Sequence, residues 1–96
     1  MPAYVVAWMS LADRSRLAQY ITEAPDTIAQ YGGRYLAKGP GTEALEGDWS
    51  AAGMAILEFP DRETAVRWYE SDEYRPLREL RQEHADSVLI VTPDNG

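Results

Sequence analysis

Short runs of apolar, β-branched and aromatic residues predict four strands in this sequence. Each run is bounded by Pro, Gly, Ser or Asp, the residues that favour turns. The predicted strands cover residues 3–9, 34–38, 54–59 and 87–92, and a further short extended piece is predicted at residues 43–46.

Between the first two strands, apolar residues recur at the period of an α-helix. This helix is expected to begin at Asp13 or Ser15, either of which can cap it, to kink at Pro25 and to end at Gly32-Gly33. Its apolar face is formed by Leu17, Ile21, Ala24 and Ile28.

A second helical stretch lies between the third and fourth strands and is predicted to divide into two helices. Asp61 can cap the first of them, and Ser71-Asp72 marks the break. The helix that follows covers about residues 73–85 and has Pro76 near its first turn, the part of a helix that tolerates proline. One face of that helix carries Leu77, Leu80 and His84.

The order of these elements predicts an α+β fold of the ferredoxin-like type. Strand, helix, strand, strand, helix pair and strand form one antiparallel four-stranded sheet with its helices on one face. The first and last strands are apolar at both parities, whereas a strand with one wet face alternates. A second copy of the chain is the economical cover, giving a symmetric homodimer with packed sheets or a closed barrel. The alternative is a set of central strands with scattered exposed apolar residues.

Composition limits the classes of function. The chain has 96 residues, 45% of them hydrophobic and 26% charged, which is typical of one globular domain over residues 1–96. A net charge of -7 makes nucleic acid an unfavourable partner. No apolar run is long enough to span a membrane and no signal peptide is recognisable, so we expect a cytoplasmic protein.

Six segments of the sequence resemble the domain-of-unknown-function family numbered 1330, and the match extends over nearly the whole chain. The likeness implies a ferredoxin-like subunit and a dimer of the α+β barrel superfamily. It implies no particular reaction, because that superfamily includes cofactor-free monooxygenases, haem proteins similar to chlorite dismutase and small-molecule isomerases. The segments are Met1-Pro2-Ala3-Tyr4-Val5-Val6, Tyr31-Gly32-Gly33-Arg34-Tyr35, Leu45-Glu46-Gly47-Asp48-Trp49, Ile56-Leu57-Glu58-Phe59-Pro60, Trp68-Tyr69-Glu70-Ser71 and Glu73-Tyr74 with Leu77, Arg78 and Arg81.

The residues available for catalysis are few. The chain has no Cys and a single His, which excludes thiolate and His-rich metal sites, and it lacks a P-loop, a dinucleotide-binding fingerprint and a nucleophile elbow. We therefore predict no metal and no cofactor. His84 can serve as a general base or lie at the edge of the core with one hydrogen bond.

Tyr74, Arg78 and Arg81 are spaced four and three residues apart, which places a phenol and two guanidiniums along one helix stripe. They can form ion pairs with neighbouring carboxylates, or they can converge on a small carboxylate or phosphate ligand. The resemblance covers these three positions without separating the two roles.

Two further side chains stand out. Glu58 lies inside a predicted strand, where an unpaired charge is costly, so it needs Arg34 or an Arg of a second subunit, or it is a catalytic base. Trp49 follows a turn and can cover a pocket or the dimer partner. Tyr69 and other aromatic residues can line an apolar pocket.

Two functions are therefore open. The first is a small cofactor-independent enzyme that acts on an aromatic or acidic metabolite in a pocket between sheet and helices. Its binding candidates are Arg34, Trp49, Tyr69, Tyr74, Arg78 and Arg81, and its catalytic candidates are Glu58 and His84. The second is a dimeric binding or structural module with no reaction, in which the Arg stripe forms ion pairs between subunits.

Overall fold

A computed structural model describes residues 1–39, 41–49 and 53–94 of the chain and confirms the ferredoxin-like α+β fold. The strands form one antiparallel sheet in the order β2-β3-β1-β4. The elements are β1 (Ala3–Ala12), α1 (Ala18–Gln30), β2 (Arg34–Gly39), β3 (Gly53–Phe59), α2 (Arg62–Glu70), α3 (Arg75–His84) and β4 (Ala85–Val91). No helix of the described part is both long and apolar enough to cross a bilayer.

The core lies between the helices and one face of the sheet, which we call the inner face. Alternation along β1 and β3 brings Val5 opposite Leu57 and Ala3 opposite Phe59, all four of them buried. The helices add a buried set formed by Ala24, Ile28, Ala65, Trp68, Tyr74 and Leu77.

Trp68 is the centre of this core. Its ring lies 5.3 Å from that of Phe59 and 4.2 Å from that of Tyr74, and its indole N–H donates to Oγ1 of Thr27 at 3.1 Å. A truncation of such a residue to Ala costs about 3–5 kcal/mol, so Trp68 fixes the position of α2 against the sheet.

The predicted cap of α2 and the break after it are confirmed, while α3 covers Arg75–His84 and is slightly shorter than the predicted residues 73–85. The carboxylate of Asp61 accepts from the backbone N–H of Thr64 at 2.7 Å, and this hydrogen bond lowers the pKa of Asp61. Ser71 ends the helix, because its hydroxyl donates to the carbonyl of Trp68 at 2.7 Å and accepts from the N–H of Tyr74 at 3.1 Å.

Two local predictions were wrong. Helix α1 begins at Ala18 without a side-chain cap, because Asp13 instead starts a turn in which its carboxylate accepts from Oγ of Ser15 at 2.7 Å. Residues 43–46 form no strand but lie in a loop, and Gly41 and Gly47 on either side of them have φ of 95° and 79°.

On the face of the sheet away from the helices, here called the outer face, β1 and β4 present apolar residues as predicted. Val88 and Ile90 on β4 are 44% and 48% exposed, and they pair with Trp8 and Val6 of β1. On the other side of β1, Val6 and Trp8 pair with Ile56 and Met54 of β3.

Candidate functional site

An apolar cavity of about 190 Å³ lies between the inner face and the helices. It is found where β1 and β2 end and β3 begins, so it opens at one end of the sheet. Its apolar and aromatic walls are formed by Ala7, Met9, Leu17, Tyr20, Ile21, Ile28, Tyr35, Met54, Ala55, Leu57, Trp68 and Leu89.

Arg81 is the charged group in the depth of this cavity. It is 3% exposed, and its Nη1 donates to Oγ of Ser87 on β4 at 2.5 Å. Its Nε is buried and has no hydrogen-bond partner within the described residues, and no described carboxylate lies within ion-pair distance of the guanidinium. A buried cation without a carboxylate is costly unless another anion reaches it.

Two phenols lie beside Arg81. The hydroxyls of Tyr20 and Tyr74 are 2.6 Å apart, and Tyr74 is fully buried. Burial, together with the neighbouring Tyr74, raises the pKa of Tyr20, so this phenol stays protonated well into the alkaline range. Burial lowers the pKa of Arg81, but Tyr74 and Tyr20 raise it more, so the guanidinium keeps its charge.

Two more cations, the exposed residues Arg14 and Lys38, also line the cavity. Lys38 reaches the inner face because β2 has a bulge between Tyr35 and Ala37, which shifts the alternation by one residue. Its Nζ lies 4.3 Å from the centre of the Tyr35 ring. Arg14 belongs to the turn between β1 and α1.

The charge of the lining is opposite to that of the molecule. Among the described lining residues there are three cations and no carboxylate, although the chain has a net charge of -7. A low-dielectric cavity with this lining favours an anion.

Of the residues that the sequence singled out on α3, the structure brings Arg81 to the cavity and Tyr74 next to it. Arg78 lies on a different side of the helix, where it donates to the carbonyl of Tyr69 at 2.8 Å and its guanidinium carbon is 4.9 Å from the centre of that ring. Arg78 and Tyr69 border a separate hollow between α2 and β4.

Arg34, Glu58 and Trp49 belong to the outer face. Nε of Arg34 donates to Oε1 of Glu58 at 2.9 Å, which confirms that a neighbouring strand supplies the partner of this carboxylate. Trp49 packs against Trp8, with ring centres 5.9 Å apart. The sheet therefore separates these three side chains from the cavity.

His84 ends α3 and is also outside the lining. Its carbonyl accepts from the N–H of Asp13 at 2.9 Å, and its Nε2 is 4.0 Å from a carboxylate oxygen of Glu83. Within the part of the chain that the structure describes, no group of three or more acidic or His side chains could hold a metal ion.

Sequence reasoning missed three polar residues of the cavity, namely Tyr20, Arg14 and Lys38. Tyr20 carried a usable signal, because it lies three residues after Leu17 and four before Ala24 and so shares their helix face. Lys38 carried none, since its direction depends on the bulge in β2.

Solved structures with this fold are similar over almost the full chain. A protein of unknown function from Rhodopseudomonas palustris superposes with a TM-score of 0.76 at 21% identity, covering 99% of this chain and 83% of its own. A dimeric ferredoxin-like protein of unknown function from Jannaschia sp. CCS1 gives 0.75 at 7% identity, covering 96% and 98%. SnoaB, a cofactor-independent oxygenase from Streptomyces nogalater, gives 0.64 at 12% identity, covering 99% and 93%.

At these identities the structural neighbours show the fold alone. No curated protein matches the sequence. A family model does match it, over residues 2–94 of the 96.

Proposed function

This chain belongs to the family described as "Domain of unknown function (DUF1330)", and we propose that it is a homodimer that binds a small apolar anion in the cavity between its helices and its sheet. Arg81 is the principal counter-ion in this proposal, and Tyr20 is a hydrogen-bond donor beside it.

The observation that supports the proposal is the burial of Arg81 without a carboxylate partner among the described residues. Its guanidinium is buried, and the described residues provide a hydroxyl but no carboxylate as its partner. In such an environment a charged hydrogen bond to a bound anion contributes about 1.5–3 kcal/mol. The cavity therefore has a strong preference for an anionic group over a neutral one.

The size and lining of the cavity define the rest of the ligand. A cavity of about 190 Å³ is somewhat larger than an apolar cavity of about 150 Å³ that holds benzene, so it suits one substituted ring or a short aliphatic chain. Its apolar walls suit a ligand whose body is hydrocarbon and whose anionic group is a carboxylate, a phenolate or an enolate.

The geometry favours binding over proton abstraction. The described lining offers cations and phenol donors but neither a carboxylate nor an imidazole, and Glu58 and His84 lie elsewhere. Such a site stabilises an oxyanion without generating it. A cofactor-independent reaction in this cavity would require a substrate that loses its own proton, and Arg81 and Tyr20 would then stabilise the anion formed.

The homodimer is proposed from the outer face. Val88 and Ile90 expose nearly half of their surface there, beside the partly buried Val6 and Trp8. A contiguous apolar surface of this kind on a small domain marks an interface. A second copy is the partner we propose, because a symmetric pair can cover both outer faces at once, and two structural neighbours are described as dimeric.

Titration calorimetry with benzoate and heptanoate tests the binding proposal, with benzamide as the uncharged match of benzoate. We expect both anions to bind and benzamide to bind at least tenfold more weakly. Arg81→Met should weaken both anions at least tenfold without lowering the Tm, because it replaces a buried cation by an apolar side chain of similar length.

Arg75→Gln is the matched control on the same helix, since Arg75 is exposed and pairs with Asp72 at 3.0 Å. It should leave anion binding unchanged. Equal binding of benzoate and benzamide, or full anion affinity in Arg81→Met, would contradict the proposal. A large fall in the Tm of Arg81→Met would instead assign Arg81 a structural role.

A further inference from the structure

Two of the three cations of the cavity come from opposite edges of the sheet. Arg81 reaches in from α3 and is hydrogen-bonded to Ser87 on β4, whereas Lys38 belongs to β2. These strands are the two edges of the sheet and are separated by β3 and β1. Three strand spacings amount to about 14 Å, so the two charges approach the cavity from opposite sides.

The surface between these two edges is apolar. Lys38 lies in register with Ala55, Ala55 with Ala7, and Ala7 with Leu89, which completes one row of residues across the inner face. All four of these residues line the cavity. A ligand that spans this row meets a cation, a hydrocarbon surface and a second cation.

An ion pair with a neighbouring carboxylate would by itself explain why Lys38 and Arg14 lie at the cavity, but neither has such a partner among the described residues. No described carboxylate lies within ion-pair distance of Lys38 or Arg14, in a chain with 16 acidic residues. The bulge in β2 turns Lys38 inward, onto the ring of Tyr35, where its ammonium group is held beside the cavity. The opening is thus positively charged by the local structure of β2 and of the turn after β1.

We infer that the ligand of this cavity is a dianion with an apolar spacer, such as a small dicarboxylate. Arg81 binds one anionic group in the interior, and Lys38 binds the other at the rim. This inference rests on the proposed function and adds the substrate class to it. The inner contact supplies most of the affinity because it is desolvated, and the exposed outer contact supplies selectivity for a second charge.

The competing role for Lys38 and Arg14 is to attract any anion to the cavity without touching it once bound. Steering of this kind depends on the total field and would affect monoanions and dianions in proportion to their charge, chiefly through the association rate. If Lys38 instead binds the second carboxylate, substitution of Lys38 lowers the affinity for the diacid and not the affinity for the monoacid.

The test compares heptanoate with heptanedioate, which share a spacer and differ by one carboxylate, in calorimetric titrations at low ionic strength. A series of straight-chain diacids from glutarate to suberate locates the best spacer. We expect the best diacid to bind about twofold to tenfold more tightly than its monoacid, the range of one or two exposed ion pairs. Added salt should reduce this advantage, since the rim is open to solvent.

Lys38→Met should abolish most of the advantage of the diacid and leave the affinity for heptanoate within about twofold. Arg16→Met is the matched control, because Arg16 is an exposed cation of the same turn as Arg14 but lies outside the lining. It should preserve the preference for the diacid. Arg81→Met should weaken the binding of both heptanoate and heptanedioate.

The possible failures are distinct. Binding of heptanoate that depends on Arg81, with no diacid binding more tightly, would overturn the dianion and leave the proposed function standing. A loss of heptanoate affinity in Lys38→Met that reaches about half of the diacid's loss on a free-energy scale would also overturn it, in favour of steering, which acts in proportion to charge. Failure of every acid to bind would overturn the proposed function itself.

Discussion

The phenol pair next to Arg81 links the chemistry of single residues to the stability of the protein. Burial raises the pKa of Tyr20 above its ordinary value of 10.0. As the pH passes that value, the unfolded chain loses the Tyr20 proton while the folded chain retains it, so the folded state becomes less favoured. The stabilising contribution is complete below pH 10 and is lost as the pH rises.

Tyr20→Phe removes this titration. We expect the free energy of unfolding of wild type to fall more steeply than that of Tyr20→Phe above about pH 10, by up to about 1.4 kcal/mol per pH unit. Urea unfolding from about pH 8 to about pH 12 measures both slopes. Tyr31→Phe, which removes a surface phenol bound to Glu73, is the control. Parallel curves for wild type and Tyr20→Phe would contradict this account.

At the scale of elements, the position of β2 depends on a close approach after α1. A Cβ added at Gly33 would lie 2.6 Å from Cε1 of Phe59 and 2.9 Å from Cγ2 of Ile28. Both neighbours belong to the core, so they cannot yield freely. Gly33→Ala should therefore destabilise the protein by about 1–3 kcal/mol in urea unfolding.

Gly53→Ala is the matched control for this substitution. An added Cβ at Gly53 meets no heavy atom within 4 Å among the described residues, and its φ is not positive. The stability of Gly53→Ala should remain within about 0.5 kcal/mol of wild type. If Gly33→Ala and Gly53→Ala lower the free energy of unfolding equally, the close approach of Gly33 to Phe59 is not what positions β2.

The order of the elements was predictable because each strand and helix has its own period of apolar residues, and the break at Ser71 has its own capping chemistry. The course of the chain between these elements could not be predicted. No feature of residues 34–38 indicates the bulge that turns Lys38 inward, because bulges depend on pairing with β3. The start of α1 was misplaced because Asp13 and Ser15 satisfy a turn as well as they would cap a helix.

For the candidate site, too, part of the arrangement could be predicted from the sequence and part could not. The spacing of Tyr74, Arg78 and Arg81 pointed to one stripe of α3 as a binding site, but residues three apart on a helix differ by about 60° in direction. Packing of α3 decides between them, and it places Arg81 in the cavity and Arg78 against Tyr69. That choice depends on the whole core and cannot be made from the helix alone.

At the scale of the whole molecule, the proposed homodimer is formed through the outer face. Ile90 is 48% exposed in one subunit, so Ile90→Glu should fold normally as a monomer. In the proposed dimer the same substitution buries an unpaired charge, and we expect it to weaken association by about 2–5 kcal/mol. Sedimentation velocity at micromolar concentrations measures the change.

Val66→Glu provides the control for this experiment, because Val66 is an exposed valine on α2, on the helix side of the sheet. It should leave the dimer intact. A wild-type protein that sediments as a monomer, or an Ile90→Glu variant that remains dimeric, would show that the outer face is not the interface.

We propose that Arg81 is the counter-ion of an anion bound in the cavity, and a crystal structure of the protein with heptanoate would show whether it is. We expect the carboxylate within hydrogen-bond distance of the Arg81 guanidinium, with the hydrocarbon chain against Ala7, Ala55 and Leu89. A structure in which the acid lies elsewhere on the molecule, while Arg81 keeps Ser87 as its partner and the cavity holds only water, would contradict it.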